Sequence, residues 1–470
     1  GPGILNGVNV IANALQDQVP LIVLSGRVDA AEAERYTHQV VDQGAALKPL
    51  VKASFVLDAA AAHDQADKAV GIACEGHFGP VHIDVPISVA DAPAAAPRGP
   101  RRRAAVPMVP AAADMAAMRD AFAKAQRPLM VVGLDALNQG FDTARKDLSA
   151  AITQVADTYG VPVITTYKAK GLLAEDHPMA LGGPARSPLA DKTLVPLVQA
   201  SDCVSSLGYD PVEMRPGWQN IYDPDKQTVI DIMAEPNRHY MHQASHNVVG
   251  DCGATLAALT DGITPRETWT GGEIAAAKAA LLRDFPKDED WGPGAIMDEA
   301  RQVLPRNALA TADSGAHRIL LSQMWECYEP RALMQSAALC TMGCAVPLAI
   351  GAAYASPDRA VVSFSGDDGI LMVAGELSPA REMGVAPIFI VFVDASLALI
   401  EKKQRERQMI NAGVDFATHD FAAMGRAFGG HGVDVRDRAA LRTALEDAMA
   451  ADTFTVIAAH IERGAYDGRI

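Results

Sequence analysis

The sequence predicts three parallel-sheet α/β domains in one chain. Short apolar runs closed by Gly or Pro alternate with segments whose apolar residues fall at helical spacing, as expected for strands joined by crossover helices. The alternation recurs in three blocks separated by two polar or Pro-rich connectors. A length of 470 residues, 49% of them hydrophobic, can bury several cores, and at about 150 residues per domain it suits roughly three.

In the first block, residues 1–95, "LNGVNVIANALQ" (5–16) has helical spacing, and "PLIVLSG" (20–26) and "GPVHIDVP" (79–86) read as strands. A linker rich in Ala, Pro and Arg spans 96–110. Its basic run, Arg98 with Arg101 to Arg103, reads as solvated chain, because charge blocks in Pro-rich segments stay exposed. The central block, 111–262, opens with the helix "AAADMAAMRDAFAKAQ" and continues with strands "LMVVG", "VPVITT" and "QTVIDI". A polar connector, 263–290, leads to the third block, 291–470.

A formal charge of −16 gives no field that attracts a phosphate backbone, which argues against nucleic acid and anionic membrane partners. Six cysteines (Cys74, Cys203, Cys252, Cys327, Cys340, Cys344) have no paired CxxC spacing, so they read as reduced thiols of a cytoplasmic protein. Cys340 and Cys344, four apart, read as packing. No apolar stretch reaches the ~18 residues that span a bilayer, and "GPGILNGVNV" has no basic leader region.

Chemistry concentrates in the third block. "AVVSF" is a strand, "SGDDG" a turn at its carboxyl end, "ILMVAGELSPAREM" a helix stopped by Gly384, and "IFIVFV" the next strand. Parallel sheets present ligand groups at the carboxyl ends of their strands, so Asp367 and Asp394 project into one crevice. Glycines such as Gly366 and Gly369 let backbone N–H groups approach an anion, and carboxylates suit a hard cation such as Mg2+. Capping and turn acids are the plain alternative. Pro379, inside the predicted helix, should kink it.

"GDDG" followed 27 residues later by "VDAS" (394 − 367 = 27) resembles the motif of the thiamine diphosphate enzymes, Gly-Asp-Gly followed at a fixed interval by an Asn pair. The chain looks like their acetolactate synthase branch. "HQVVDQGAALKPLVK", "GPVHIDVP", "VPVITTYKAKGLLAEDHPMALG", "TADSGAHR" and "CTMGCAVPLAIGAAYASP" fall in the family's order, so the resemblance spans essentially the whole chain. It implies thiamine diphosphate held with Mg2+ by Asp367, Asp394 and the Ser396 carbonyl. Ser314, Gly315, His317, Gly366, Asp368 and Gly369 would hold the diphosphate. Met342 would wedge the cofactor into a bent shape, and the Cys340 carbonyl would accept from its amino group. The implied activity is decarboxylation of a 2-oxo acid with carboligation, in a homodimer or homotetramer. The alternatives are a simple 2-oxo acid decarboxylase, a lyase on acyl-CoA or sulfonated substrates, and a non-catalytic binding or scaffold subunit.

The pattern is departed from at several points. The family's essential glutamate lies upstream of the GPG segment, and the first glutamate here, Glu32, sits in a stretch that does not match. No catalytic residue is therefore assigned, and a preceding half-domain is expected, which makes residues 1–95 part of a pyrimidine-binding domain. Asp394 stands where the family has Asn. Lys403 occupies the place of a tryptophan near the acceptor substrate, and Gln39 matches a glutamine facing the reacting centre. "VVGLDA" lacks a full dinucleotide fingerprint, which leaves FAD open.

Overall fold

The computed structural model describes residues 1–97, 99, 108–140, 142–184, 186–237 and 239–470. The basic run Arg98 and Arg101 to Arg103, and most of the linker with it, lies outside the described residues. The chain divides into two compact units, Gly1–Met108 with Val249–Asp251, and Val109–Val248 with Cys252–Ile470.

In the first unit, β1 (Leu21–Arg27), β2 (Ala53–Val56) and β3 (Pro80–Pro86) form a sheet of order β1-β3-β2. The second unit carries two sheets. One, of order β5-β4-β6-β7-β8, is built from β4 (Pro128–Val132), β5 (Val163–Thr165), β6 (Cys203–Leu207), β7 (Thr228–Met233) and β8 (His246–Val249). The other comprises β9 (Leu309–Ala312), β10 (Leu333–Gln335), β11 (Val361–Gly366), β12 (Ile388–Val393), β13 (His431–Val435) and β14 (Thr455–His460), in the order β10-β9-β11-β12-β14-β13. The three sheets are parallel, as the alternation predicts.

Both faces of the third sheet are covered, which explains why β12 is apolar at every position and why even the serines of β11 are buried. Phe364, Ile390 and Ile457 meet Leu441 and Leu445 of helix Arg438–Ala450 on one side. Phe389, Val391 and Val456 meet Val346 and Ile350 of helix Ala345–Ala355 on the other. Each such burial contributes about 1.5–3 kcal/mol, and together they fix the strand ends where the acids stand.

Three local expectations change. The GDDG segment is not a separate turn: with Gly366 as N-cap, Asp367 to Gly369 form the first turn of helix Asp367–Met372. The long helix predicted after it breaks at Val373 and restarts as Leu377–Glu382, so Pro379 falls in a first turn, where its missing N–H breaks no bond and no kink is needed. Gly384, at φ 64°, stops that helix as predicted. The 263–290 stretch is not only a connector. It contains helix Glu273–Asp284, whose Ile274 and Ala277 enter the central core while Phe285 enters the third-domain core.

Candidate active site

Three neighbouring strands of the third sheet, β9, β11 and β12, each release an aspartate one residue past their carboxyl ends. Asp313, after β9, is fully buried and accepts from the Gly343 N–H at 2.9 Å through Oδ2, and from the Ser314 and Cys344 N–H groups at 2.9 and 3.2 Å through Oδ1. Burial raises its pKa and those backbone bonds oppose the rise. A side chain on Gly369 would collide with Asp313 Oδ2, so the glycine is required by the acid behind it.

Asp367, after β11, is buried and takes three backbone donors: the Asp368 N–H at 3.0 Å on Oδ1, and the Asp394 and Ala395 N–H groups at 3.1 and 2.7 Å on Oδ2. It therefore sets the loop that follows β12. Its pKa is raised by burial, against the backbone bonds. Asp394 is pushed up to about 7, first by burial and next by the Asp367 carboxylate. Arg463 works against this; its Nη2 donates to the Ala395 carbonyl at 3.0 Å and its Nη1 pairs with Asp415 at 3.2 Å. Asp415 also accepts from Ser396 Oγ at 3.1 Å. Ala395 and Cys340 both hold φ near 51°, a left-handed conformation costly for a side-chain-bearing residue, one at each side of the site.

These loops enclose a cavity of about 270 Å3. Ser314, Gly315, His317, Cys340, Met342, Gly366, Asp367, Asp368, Gly369, Asp394 and Ser396 all line it. Gln39, in the first unit, is exposed, with φ 59°. Lys403 is exposed on helix Ala398–Glu406, whose Ala398, Leu399 and Ile400 reach the cavity instead. Glu32 is exposed on the short helix Ala30–Ala33.

Sequence reading left Asp313, Tyr466 and Arg186 without a role. Asp313 carries the signal that found Asp367 and Asp394, an acid at a strand's carboxyl end. Tyr466 and Arg186 reach the cavity from segments distant in sequence, so no local pattern marks them.

Among the described residues, three buried polar atoms of the residues lining this space have no partner, Ser314 Oγ, His317 Nε2 and Arg186 Nε. His317 lies near the start of helix Ala316–Met324, and its ring stacks on Phe392 at 5.4 Å. Burial drives its pKa down to about 4, with the nearby Arg318 charge adding to the fall. A Cβ on Gly315 would come within 2.7 Å of that ring, so glycine leaves the imidazole its place. Unmet hydrogen-bonding atoms, glycine-lined backbone and two adjacent carboxylates fit a diphosphate carried with a hard divalent cation. The cysteines add no ligand set: Cys340 Sγ lies 3.0 Å from Arg318 Nη1, and Cys344 Sγ is 3.7 Å from the Asp313 carboxylate. Among the described residues no group of three or more His, Cys, Asp or Glu gathers at one point as a metal site made by the protein alone.

A doubly covered parallel sheet with strand-end acids around an anion-ready cavity defines an α/β enzyme that works on a phosphorylated cofactor. Three family models cover most of the chain: the N-terminal TPP binding domain of thiamine pyrophosphate enzymes matches residues 1–46, their central domain 115–259, and their C-terminal TPP binding domain 313–459. The chain belongs to the thiamine pyrophosphate enzymes, on the acetolactate synthase-like side of the family. It is similar to an acetolactate synthase of Bacillus subtilis, with 28% identity over 97% of this chain and 80% of the relative. The catabolic acetolactate synthase of Raoultella terrigena is 26% identical over 98% and 82%. The large subunit of Escherichia coli acetolactate synthase isozyme 1 is 28% identical over 95% and 79%.

Proposed function

We propose that the chain catalyses decarboxylation of a 2-oxo acid followed by carboligation, with thiamine diphosphate and Mg2+, and works as a homodimer or homotetramer. The observation that carries this reading is the convergence of the eleven motif residues on one cavity, where Ser314 and His317 carry unpartnered polar atoms beside two adjacent carboxylates. The bound cofactor would supply a nucleophilic carbon and a sink for the electrons left when carbon dioxide departs.

The chain's own residues bind, orient and exclude water. Asp367, Asp394 and the Ser396 carbonyl hold the cation, whose charge offsets two carboxylates that repel each other. Ser314 and His317 offer their free atoms to the diphosphate. Met342, half-buried, forms part of the apolar wall, and Cys340, fixed at positive φ, presents its carbonyl. Phe392 and Tyr466, both buried, exclude water beside the acids.

Six free cysteines suit a reducing compartment such as the cytoplasm. Gly133 and Gly208 are each required by close backbone packing between the ends of β4 and β6, so they lend no support to bound FAD.

The test is a screen of 2-oxo acids with carbon dioxide release as readout, followed by product analysis with pyruvate. Acetolactate supports the proposal and acetaldehyde alone favours simple decarboxylation. Cofactor binding without turnover of any 2-oxo acid points to a non-catalytic subunit.

A further inference from the structure

The cavity contains a guanidinium that the cofactor-binding residues leave unused. Arg186 lines it from the central domain, on the loop between β5 and helix Pro188–Ala200. Its Nε is buried without a hydrogen-bond partner. Among the described residues Arg186 makes no ion pair, whereas the other guanidinium of the cavity, Arg318, is committed to Gln335 at 2.5 Å and Cys340 at 3.0 Å.

The Arg186 loop is fastened to the site. Gln323, on helix Ala316–Met324, donates to the Gly183 carbonyl at 2.7 Å and to Tyr167 Oη at 3.2 Å. Tyr167 Oη in turn accepts from the Arg186 N–H at 3.4 Å. The Arg318 guanidinium lies 6.0 Å from the Tyr167 ring. These links tie the Arg186 loop to helix Ala316–Met324, which carries Arg318.

A guanidinium with an open donor, on a loop held at the site, recognises an anionic group that presents two oxygens, such as a carboxylate. Resting on the reading above, we infer that Arg186 binds the carboxylate of the second 2-oxo acid, the one retained in the product. The balance of the reaction favours that carboxylate. Two 2-oxo acid anions and one proton give one carbon dioxide and one 2-hydroxy-3-oxo acid anion. A carbon-carbon bond forms at the second acid's carbonyl, whose oxygen takes the proton. Holding the carboxylate that departs would stabilise the ground state of the step that loses it, whereas holding the retained one orients the acceptor throughout.

The experiment compares the wild type with Arg186→Ala and Arg186→Lys, each loaded with thiamine diphosphate and Mg2+. The acceptor KM should rise about tenfold to a hundredfold in Arg186→Ala, with product shifting from carboligation to free aldehyde and partial recovery in Arg186→Lys. Cofactor Kd by calorimetry should stay within about twofold of wild type. Independently of turnover, modification of Arg186 by phenylglyoxal, followed by mass spectrometry, should be slowed by oxamate. Unchanged partition with no protection overturns the inference, as does a lost cofactor affinity with unchanged acceptor KM, which would make Arg186 a diphosphate ligand. A wild type that turns over no 2-oxo acid yet shows oxamate protection sinks the decarboxylation reading while keeping Arg186 as the carboxylate site.

Discussion

Asp394 is the residue at which this chain departs most from its family pattern, and the structure shows what the change entails. An asparagine would still present an oxygen to the Ser396 N–H, which Asp394 Oδ1 accepts at 3.3 Å. The carboxylate adds a second negative charge beside Asp367, and burial amplifies the repulsion. Arg463 and its partner Asp415 hold the same loop from the other side. We therefore expect Asp394→Asn to retain or tighten thiamine diphosphate binding at a given Mg2+ concentration, and calorimetry that shows a large loss of affinity contradicts this. Strand-end acids were legible in the sequence because a parallel sheet sends such residues to one edge. Arg463 and Arg186 were not, because their roles arise from chain segments brought together only by folding.

At the level of elements, helix Ala316–Met324 is held by a buried ion pair. Lys170 is fully enclosed, and its Nζ lies 2.6 Å from Glu175 Oε1 and donates to the Ser322 carbonyl at 2.9 Å near the helix end. Glu175 Oε2 accepts from the Cys327 N–H at 2.7 Å, and the Cys327 carbonyl accepts from the Glu175 N–H at 3.0 Å. Burial alone would lower the Lys170 pKa, but Glu175, Cys327 and Glu326 together outweigh it and the net shift is upward. Removing one partner leaves a buried charge uncompensated, at about 3–5 kcal/mol. Lys170→Met should lower the urea midpoint by a corresponding amount, and Lys170→Met with Glu175→Gln should recover part of it; equal losses in both would show that the carboxylate finds another partner. Sequence periodicity marked the apolar strands and the first helices. It passed over β2, β6, β8, β9, β10, β13 and β14; in β2 (ASFV) short length hides the apolar signal and in β6 (CVSSL) buried serines do.

For the molecule as a whole, acid is the expected route to unfolding, and the two compact units should report it separately. In the first unit His82 is buried between Ser25 Oγ at 2.6 Å and Ser54 Oγ at 2.9 Å, and burial lowers its pKa against the pull of Asp84. In the second, burial brings His239 down to about 4, with His242, its ring 5.0 Å away, adding to the fall. Above the ordinary histidine range both folded and unfolded chains are neutral at these positions, so they contribute nothing to the pH dependence. As pH falls through about 6.5 the unfolded chain gains protons that the folded chain refuses, and stability drops by up to about 1.4 kcal/mol per pH unit for each such group. The loss at His239 continues down to its folded value near 4. All four tryptophans, Trp218, Trp269, Trp291 and Trp325, lie in the second unit, so their fluorescence follows that unit while far-ultraviolet circular dichroism follows both. The first unit, which dichroism reports and fluorescence does not, should lose stability between pH 7 and pH 5; in the second unit His239 and His317 act the same way, while Asp394, whose folded pKa of about 7 lies above its unfolded value, gains stability over the same interval and offsets them. Relative to the wild type, His239→Asn should raise the fluorescence midpoint more at pH 5 than at pH 7, and His82→Asn should do the same only in that part of the dichroism change which fluorescence does not share. A pH dependence left unchanged by both substitutions would mean that these imidazoles gain protons as readily folded as unfolded, and that burial does not control their charge. Three domains were legible in the sequence from the recurrence of strands and helices. Their grouping into two units was not, because it depends on Ile274, Ala277 and Phe285, which place a stretch that reads as a connector inside two cores at once.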